Sequence, residues 1–407
     1  MLASEGHRSA SIVPYVTSPI EFSVAESLSD VAAAEWDALV GGVPILSHAF
    51  LDALHETGCA SAKTGWHPQY IIGRRAGKLV AAMPLYLKTH SYGEYVFDWA
   101  WADAYRQHGR RYYPKLLSAI PFTPATGPRL IANDAADRNA LWAQAVHLAE
   151  RFHASSLHVL FPEADVAEAL ASDDVLHRQG IQFRWENGGY ESFDRFLATF
   201  SHDKRKKIKQ DRTHVRNAGV TYRWLDGTTA TAADWRFFHA CYSNTYREHH
   251  STPYLNLDFF RRLARTMPSN VLLIIGEREA GPMCAAFNIH DDTTLWGRYW
   301  GTREFVPSLH FETCYYQAIE FCIDRKITRF EGGAQGGHKL ARGFLPVRTH
   351  SLHWIADRDF SEAIAEFLRR ETADIGQVLG ELGESSPYKT QATDEAATIP
   401  GDRLAAD

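Results

Sequence analysis

Glu331-Gly-Gly-Ala-Gln-Gly-Gly-His-Lys-Leu-Ala-Arg342 sets glycines 332, 333, 336 and 337 between a carboxylate and three basic side chains. Packing does not require so many glycines; positive φ and close approach of backbone to a ligand do. Amides in such a run form a nest for a phosphate or an oxyanion, so Gly333 and Gly336 are candidate ligand-cradling positions. His338, Lys339 and Arg342 then open a short helix. With Glu331 and Gln335 they would furnish proton-transfer and hydrogen-bonding groups to a polar pocket floor. The competing reading is a solvated connector with basic side chains in water.

Three further groups carry chemical potential. His310 and Glu312 open a segment that reads as a helix to Cys322. The helix dipole favours a carboxylate in the first turn, so Glu312 reads either as a capping-type acid or as a base facing an amine. Tyr315 follows, and a phenol can donate a proton to a leaving group. Arg298 and Tyr299 lie in Leu295-Trp-Gly-Arg-Tyr-Trp300, which reads as a strand. Period-two alternation expects Arg298 on one face with Trp296 and Trp300, its fork able to hold a carboxylate or phosphate. Lys204-Arg-Lys-Lys-Ile-Lys-Gln-Asp-Arg212 concentrates positive charge in a chain of net charge −6. It reads as a helix carrying Lys204, Arg205 and Lys207 either as a solvated face or as a platform for a phosphate-rich ligand.

The elements that must position these groups come from an internal repeat. Tyr70-Ile-Ile-Gly-Arg-Arg-Ala-Gly-Lys-Leu-Val-Ala-Ala-Met83 matches Leu273-Ile-Ile-Gly-Glu-Arg-Glu-Ala-Gly-Pro-Met-Cys-Ala-Ala286, each a β-hairpin signature. Amphipathic segments precede both, at Ala49–His55 and Asp258–Ala264. Aromatic strands are expected after both, at Tyr95–Trp101 and Thr294–Trp300, with Trp99 and Trp101 alternating to one core-facing side. Val175–Trp185 and Lys339–Arg348 each read as a short helix stopped by glycine, then a strand. Four blocks in one order imply duplication. The expected organisation is a flexible 1–19, unit 1 at 20–190, unit 2 at 191–357 as the active copy, an amphipathic helix at 358–383 and a disordered tail at 384–407.

This order of elements resembles the acyltransferase fold of the GNAT superfamily. In tandem it resembles the FemABX-type aminoacyltransferases and the related N-acyltransferases of peptidoglycan biosynthesis or recognition. The likeness is carried by Ser201-His-Asp-Lys-Arg-Lys-Lys-Ile-Lys209, Trp296–Gln317 and Phe330–Phe344. It implies a mixed α/β (α+β) fold of two GNAT-like units. It also implies an N-acyltransferase in which an amine, small molecule or peptide, attacks an activated donor directly. Acyl-CoA is the favoured donor, aminoacyl-tRNA the alternative, and no permanently bound cofactor is expected. In that scheme His338, Lys339, Glu312 and Tyr315 are catalytic. Arg298, Tyr299, His310, Glu331, Gln335 and Arg342 bind substrate. Lys204, Arg205, Lys207, Gly333 and Gly336 bind the donor. Two departures stand out: Gly337 replaces an acid expected before His338, and no GNAT pyrophosphate loop follows Trp300. They keep a non-catalytic cell-wall-peptide binder in play.

Composition bounds the rest. The 407 residues suit two or three domains, and 45% hydrophobic content provides for packed cores. Five cysteines without a Cys-x-x-Cys pair predict neither a disulfide framework nor a metal site. No apolar run reaches the ~20 residues of a membrane span, and the first residues lack a secretory pattern. A cytoplasmic protein with no DNA partner is expected.

Overall fold

A computed structural model describes residues 19–333 and 336–389. Its strands are β1 Glu21–Ala25, β2 Trp66–Pro68, β3 Tyr70–Arg75, β4 Lys78–Met83, β5 Tyr86–Lys88, β6 Lys115–Ser118, β7 Ile131–Ala132 and β8 Ser156–Leu160. They continue with β9 Leu176–Glu186, β10 Thr221–Leu225, β11 Val271–Arg278, β12 Gly281–His290, β13 Thr294–Thr302, β14 Arg329–Glu331 and β15 Leu345–Ile355. Two compact units divide them. Unit 1 takes the chain up to Phe122, Thr126–His177 and His350–Ala365; unit 2 takes Thr123–Ala125, Arg178–Thr349 and the chain from Glu366 on.

These limits differ from 20–190 and 191–357, and backbone pairing gives the reason. Arg184–Glu186 of β9 pair antiparallel with Arg329–Glu331 of β14, which places that strand in unit 2. Ser351–Ile355 of β15 pair antiparallel with β8, which returns that stretch to unit 1.

In unit 1, β1, β3, β4 and β7 form one antiparallel ladder. The β3–β4 hairpin turns through Ala76 and Gly77, whose φ of 49° and 80° suit the twist of the flanking strands. A second ladder runs β2, β5, β6, β8 and the end of β15, with β6 and β8 parallel. Helix Ala135–Arg151 buries Leu141, Ala145 and Leu148 against Ile71, Met83, Leu116 and Leu157. Two expectations fail here. The aromatic segment at 95–101 is not a strand: helix Trp99–Gln107 takes its end, and residues two apart on a helix point away from each other. Trp101 is buried while Trp99 is exposed, so they share no face. Val175–Gly180 is not a short helix either, because β9 runs through it. Gly180 allows a close approach there, since a Cβ would stand 2.9 Å from Thr349 Oγ1.

In unit 2, β10, β11, β12 and β13 are antiparallel, β14 joins β13 in parallel, and β9 closes the order. Side-chain alternation gives each face of this sheet its own cover. Phe287 of β12 meets Trp235, Phe238 and Phe260 from helices Ala232–Glu248 and Leu257–Thr266. Leu272, Ile274, Ala286 and Leu295 meet Phe196, Ile208, Tyr316 and Ile319. Helix Arg358–Glu384 buries Ile364 and Leu368. Part of the expected disordered tail is docked: Tyr388 donates to the Gly343 carbonyl at 2.6 Å and its ring packs on Phe200. The rest of the tail, like most of 1–19, lies outside the described residues.

Candidate functional site

The site begins with a fault in a strand. Phe287 pairs with Tyr299, but the next residue of β12, Asn288, pairs with Gly297, which leaves Arg298 as a bulge. A bulge bends a strand and re-aims its side chains. Trp296 lies opposite Ile289 and Trp300 opposite Ala286, so these two tryptophans fall on opposite faces, contrary to simple alternation. The parallel ladder with β14 comprises three pairs, Thr294–Arg329 to Trp296–Glu331, and ends where the bulge begins. Past that point β13 continues along β12 to Thr302, whereas β14 gives way to Gly332 and Gly333. Gly333 has φ 77°, and its Cα region passes the Gly297 carbonyl. The result is a parallel strand pair that opens at its C-terminal end beside a glycine loop.

Side chains from three elements meet there. The Trp300 ring lies 4.6 Å from His310, which lies 5.3 Å from Tyr315 and 6.0 Å from His338. The Tyr315 phenol is 3.0 Å from His338 Nε2. His310 and Tyr315 come from residues 309–325, where a π-helical turn, Glu312–Tyr316, interrupts the α-helix. Such turns are uncommon and recur at functional sites. Here consecutive tyrosines both turn inward, Tyr315 to His338 and Tyr316 to Asp211 at 2.9 Å.

The charges around His338 set its state. It is exposed, yet partial burial, with Arg342 and Lys339 close by, pulls its pKa below the ordinary histidine value. Burial pulls His310 down to about 4, and His338, Arg342 and Lys339 add to the effect. Both imidazoles are therefore neutral at pH 7. Burial raises the Tyr315 phenol, so it keeps its proton. Lys339 is buried, lowered to about 8 by desolvation, and donates to the Gly333 carbonyl at 2.9 Å.

Asp211 holds this arrangement from behind. It is 1% exposed and accepts from Ser308 Oγ at 2.9 Å, Tyr316 at 2.9 Å and Arg342 Nη2 at 3.2 Å, with Lys207 Nζ at 3.5 Å. Arg342 in turn lies 3.3 Å over the Phe311 ring and donates from Nη1 to the His338 carbonyl at 2.7 Å. Its guanidinium braces the loop, which is a different task from the substrate contact expected of it.

A model of the FemAB-like family, described as peptidoglycan biosynthesis/recognition, matches residues 27–390. The chain belongs to this family. Among solved structures, FemX superposes with a TM-score of 0.53 at 13% identity, covering 82% of this chain and 98% of FemX. The C-terminal domain of a putative lysylphosphatidylglycerol synthetase from Agrobacterium fabrum gives 0.50 at 9% identity, covering 83% and 95%. A tandem GNAT protein from the clavulanic acid biosynthesis pathway gives 0.41 at 12% identity, covering 83% and 99%. No curated protein matches in sequence. The fold of this FemAB-like protein is thus shared with FemX and with that synthetase domain. No described helix is long and apolar enough to cross a membrane.

The remaining expected site residues of this FemAB-like chain are dispersed. Glu312 is buried in an ion pair with Arg212, at 3.1 Å, and accepts from Gln317 at 2.9 Å; Arg212 also grips Glu320 at 2.9 Å. Burial raises Glu312 despite Arg212, but its oxygens face that network and not His338. Arg298 reaches Thr123 Oγ1 at 3.2 Å and the Tyr299 hydroxyl at 3.3 Å. Tyr299 packs on Tyr242 at 5.0 Å, on the face of β13 opposite Trp300 and His310. Glu331 sits 3.8 Å from Arg184 and is raised by burial. Lys204 and Lys207 are exposed on helix His202–Asn217, Arg205 is half-buried, and Arg212 is consumed by its carboxylates. Gly336, with φ 110°, closes against the His338 ring. Gln335 lies outside the described residues. Asp211 escaped notice in the sequence. The signal was present: Ile208, Asp211 and Val215 share one helical face, and that face is the buried one.

Proposed function

We propose that this protein is an N-acyltransferase whose reaction takes place in unit 2, where β13 and β14 part beside the glycine loop. One observation carries the reading: a neutral, solvent-reachable imidazole, His338, hydrogen-bonded to a protonated phenol, Tyr315, at the end of that loop. With Nε2–H donating to the Tyr315 oxygen, Nδ1 keeps a lone pair for the ammonium or amine proton of the acceptor. The phenol proton is then free for the leaving group. The amine nitrogen bonds to the donor's carbonyl carbon, the bond from that carbon to the leaving atom breaks, and no covalent enzyme intermediate forms. Gly337 stands where the family resemblance implies an acid, so the base role falls to His338.

An acyl thioester is the leading donor, because an extended amide-bearing arm fits the edge that β13 presents beyond the end of its ladder with β14. Aminoacyl-tRNA is the second reading. The exposed Lys204, Lys206, Lys207 and Lys209 on one helix favour it, as a cationic platform for a phosphate backbone. The family's description makes a peptidoglycan-type amine the first acceptor to test. A screen of acyl-CoA and aminoacyl-tRNA donors, read by mass spectrometry, tests the reading. His338→Gln should lower kcat roughly 10²–10⁴-fold without unfolding the protein. Full turnover in that variant would remove His338 from the chemistry, and ribonuclease sensitivity would decide for tRNA.

A further inference from the structure

In the stretch 91–99 of unit 1 three polar side chains, Ser91, Glu94 and Asp98, face the protein. Lys115 donates to Ser91 Oγ at 2.8 Å, to Glu94 at 2.7 Å and to Asp98, and Tyr112 donates to Asp98 at 2.6 Å. Lys88 lies 3.8 Å from Glu94 and 3.6 Å over the Trp66 ring. The sheet beneath matches this polarity: Trp66, Lys88 and Lys115 are cross-strand neighbours in one row, and His158 pairs with His353 on the same ladder. The side chains of Lys88, Lys115, Glu94 and Asp98 are at most 5% exposed.

Three aromatic side chains of the same stretch face outward, whereas Trp101, Tyr105 and Tyr112 beyond it are buried. Tyr92 is 58% exposed, Phe97 54% and Trp99 39%, with the Tyr92 and Trp99 rings 5.1 Å apart. Water alone favours the reverse arrangement, since burying ionised groups is costly and exposing aromatic rings forgoes burial. Exposed aromatic rings gathered in one short stretch mark a surface suited to an apolar neighbour. Its charge says which. Arg106, one turn pair along the helix from Trp99, and Arg110 and Arg111 just beyond it are exposed. The carboxylates facing them are the exposed Asp103, 3.0 Å from Arg106, and the half-buried Asp357, 3.1 Å from Arg110. Aromatic rings beside arginines fit the headgroup zone of an anionic bilayer, where rings sit at the interface and guanidinium groups meet lipid phosphate.

We propose that unit 1 docks on an anionic membrane surface through Tyr92, Phe97 and Trp99 with Arg106, Arg110 and Arg111. This is a peripheral contact, and it does not depend on which donor or acceptor unit 2 uses. The buried Lys115–Glu94–Asp98 cluster holds the loop with its rings out. The experiment is co-sedimentation of the full chain with vesicles of phosphatidylcholine alone and with 30–40% phosphatidylglycerol (about this range, in which surface potentials are strong). Binding is expected to the anionic vesicles, weakened by salt. Phe97→Ser with Trp99→Ser should reduce it at least about tenfold, and Arg106→Gln with Arg111→Gln roughly fivefold per arginine. The thermal midpoint of both variants should stay unchanged. No binding to anionic vesicles, equal binding to phosphatidylcholine, or full binding by the serine variant would overturn the proposal. A serine variant that alters oligomeric state and not vesicle binding would assign the patch to a second copy of the chain.

Discussion

The two hairpins of the repeat, β3–β4 in unit 1 and β11–β12 in unit 2, are alike down to their irregularities. Each shifts register after the same glycine, Gly73 in one and Gly276 in the other. Each glycine lies opposite an aromatic residue of the preceding strand, Phe22 or Tyr222, whose ring occupies the space a Cβ would need. The copies part company at the next strand. In unit 2 it is the nine-residue β13, bulged at Arg298 and splayed from β14. In unit 1 the partner of β4 is the two-residue β7, and β6 and β8 form the parallel pair. The duplicated scaffold is thus kept by packing, while an opening suited to chemistry depends on one strand's length and one extra residue. Unit 1 places its ionisable groups in a closed internal cluster; unit 2 places them around a loop that water reaches.

That contrast can be broken by moving one residue at a time. The largest effect is expected in unit 1. Lys115→Ala leaves Glu94 and Asp98 buried without their main cation, and should cost about 3–5 kcal/mol in urea unfolding. Turnover per folded molecule should be unchanged; a fall in kcat at full folding would place unit 1 in the chemistry. In unit 2, Asp211→Asn keeps the shape but removes the charge that Arg342 and Tyr316 address. It should cost about 1–3 kcal/mol and lower kcat more than it raises KM, because His338 loses its brace. Equal kcat in that variant would make Asp211 purely structural. The mildest test is pH. In the proposed reaction His338 acts unprotonated, and its pKa lies below the ordinary histidine value. The rate should therefore be level through neutrality and fall about tenfold per unit only below that pKa. An acid limb at or above the ordinary value would assign the titration to another group.

How much of this was legible depended on which kind of order each feature uses. The hairpins were legible because apolar runs around a charged, glycine-bearing turn have one economical solution, and their repetition exposed the duplication. The glycine loop and His338 were legible as composition. The faces of β13 were not, since a bulge is a property of pairing and reverses the parity on which alternation rests. Tyr95–Trp101 misled for a related reason: alternating aromatics suit a strand, but here they mark a loop and a helix, with Phe97 and Trp99 exposed and Trp101 buried. Charge made Arg342 and Glu312 visible in the sequence, whereas their partners, Asp211 and Arg212, lie 131 and 100 residues away.

The membership of β9 and β15 has a consequence for how the chain can be shortened. A fragment starting after residue 190 would strip β14 of its antiparallel neighbour, and one ending before residue 350 would do the same to β8. Neither half can be excised as a contiguous piece of sequence without baring a ladder of backbone amides and carbonyls. With this threading, no single deletion removes one copy and leaves the other's ladders whole.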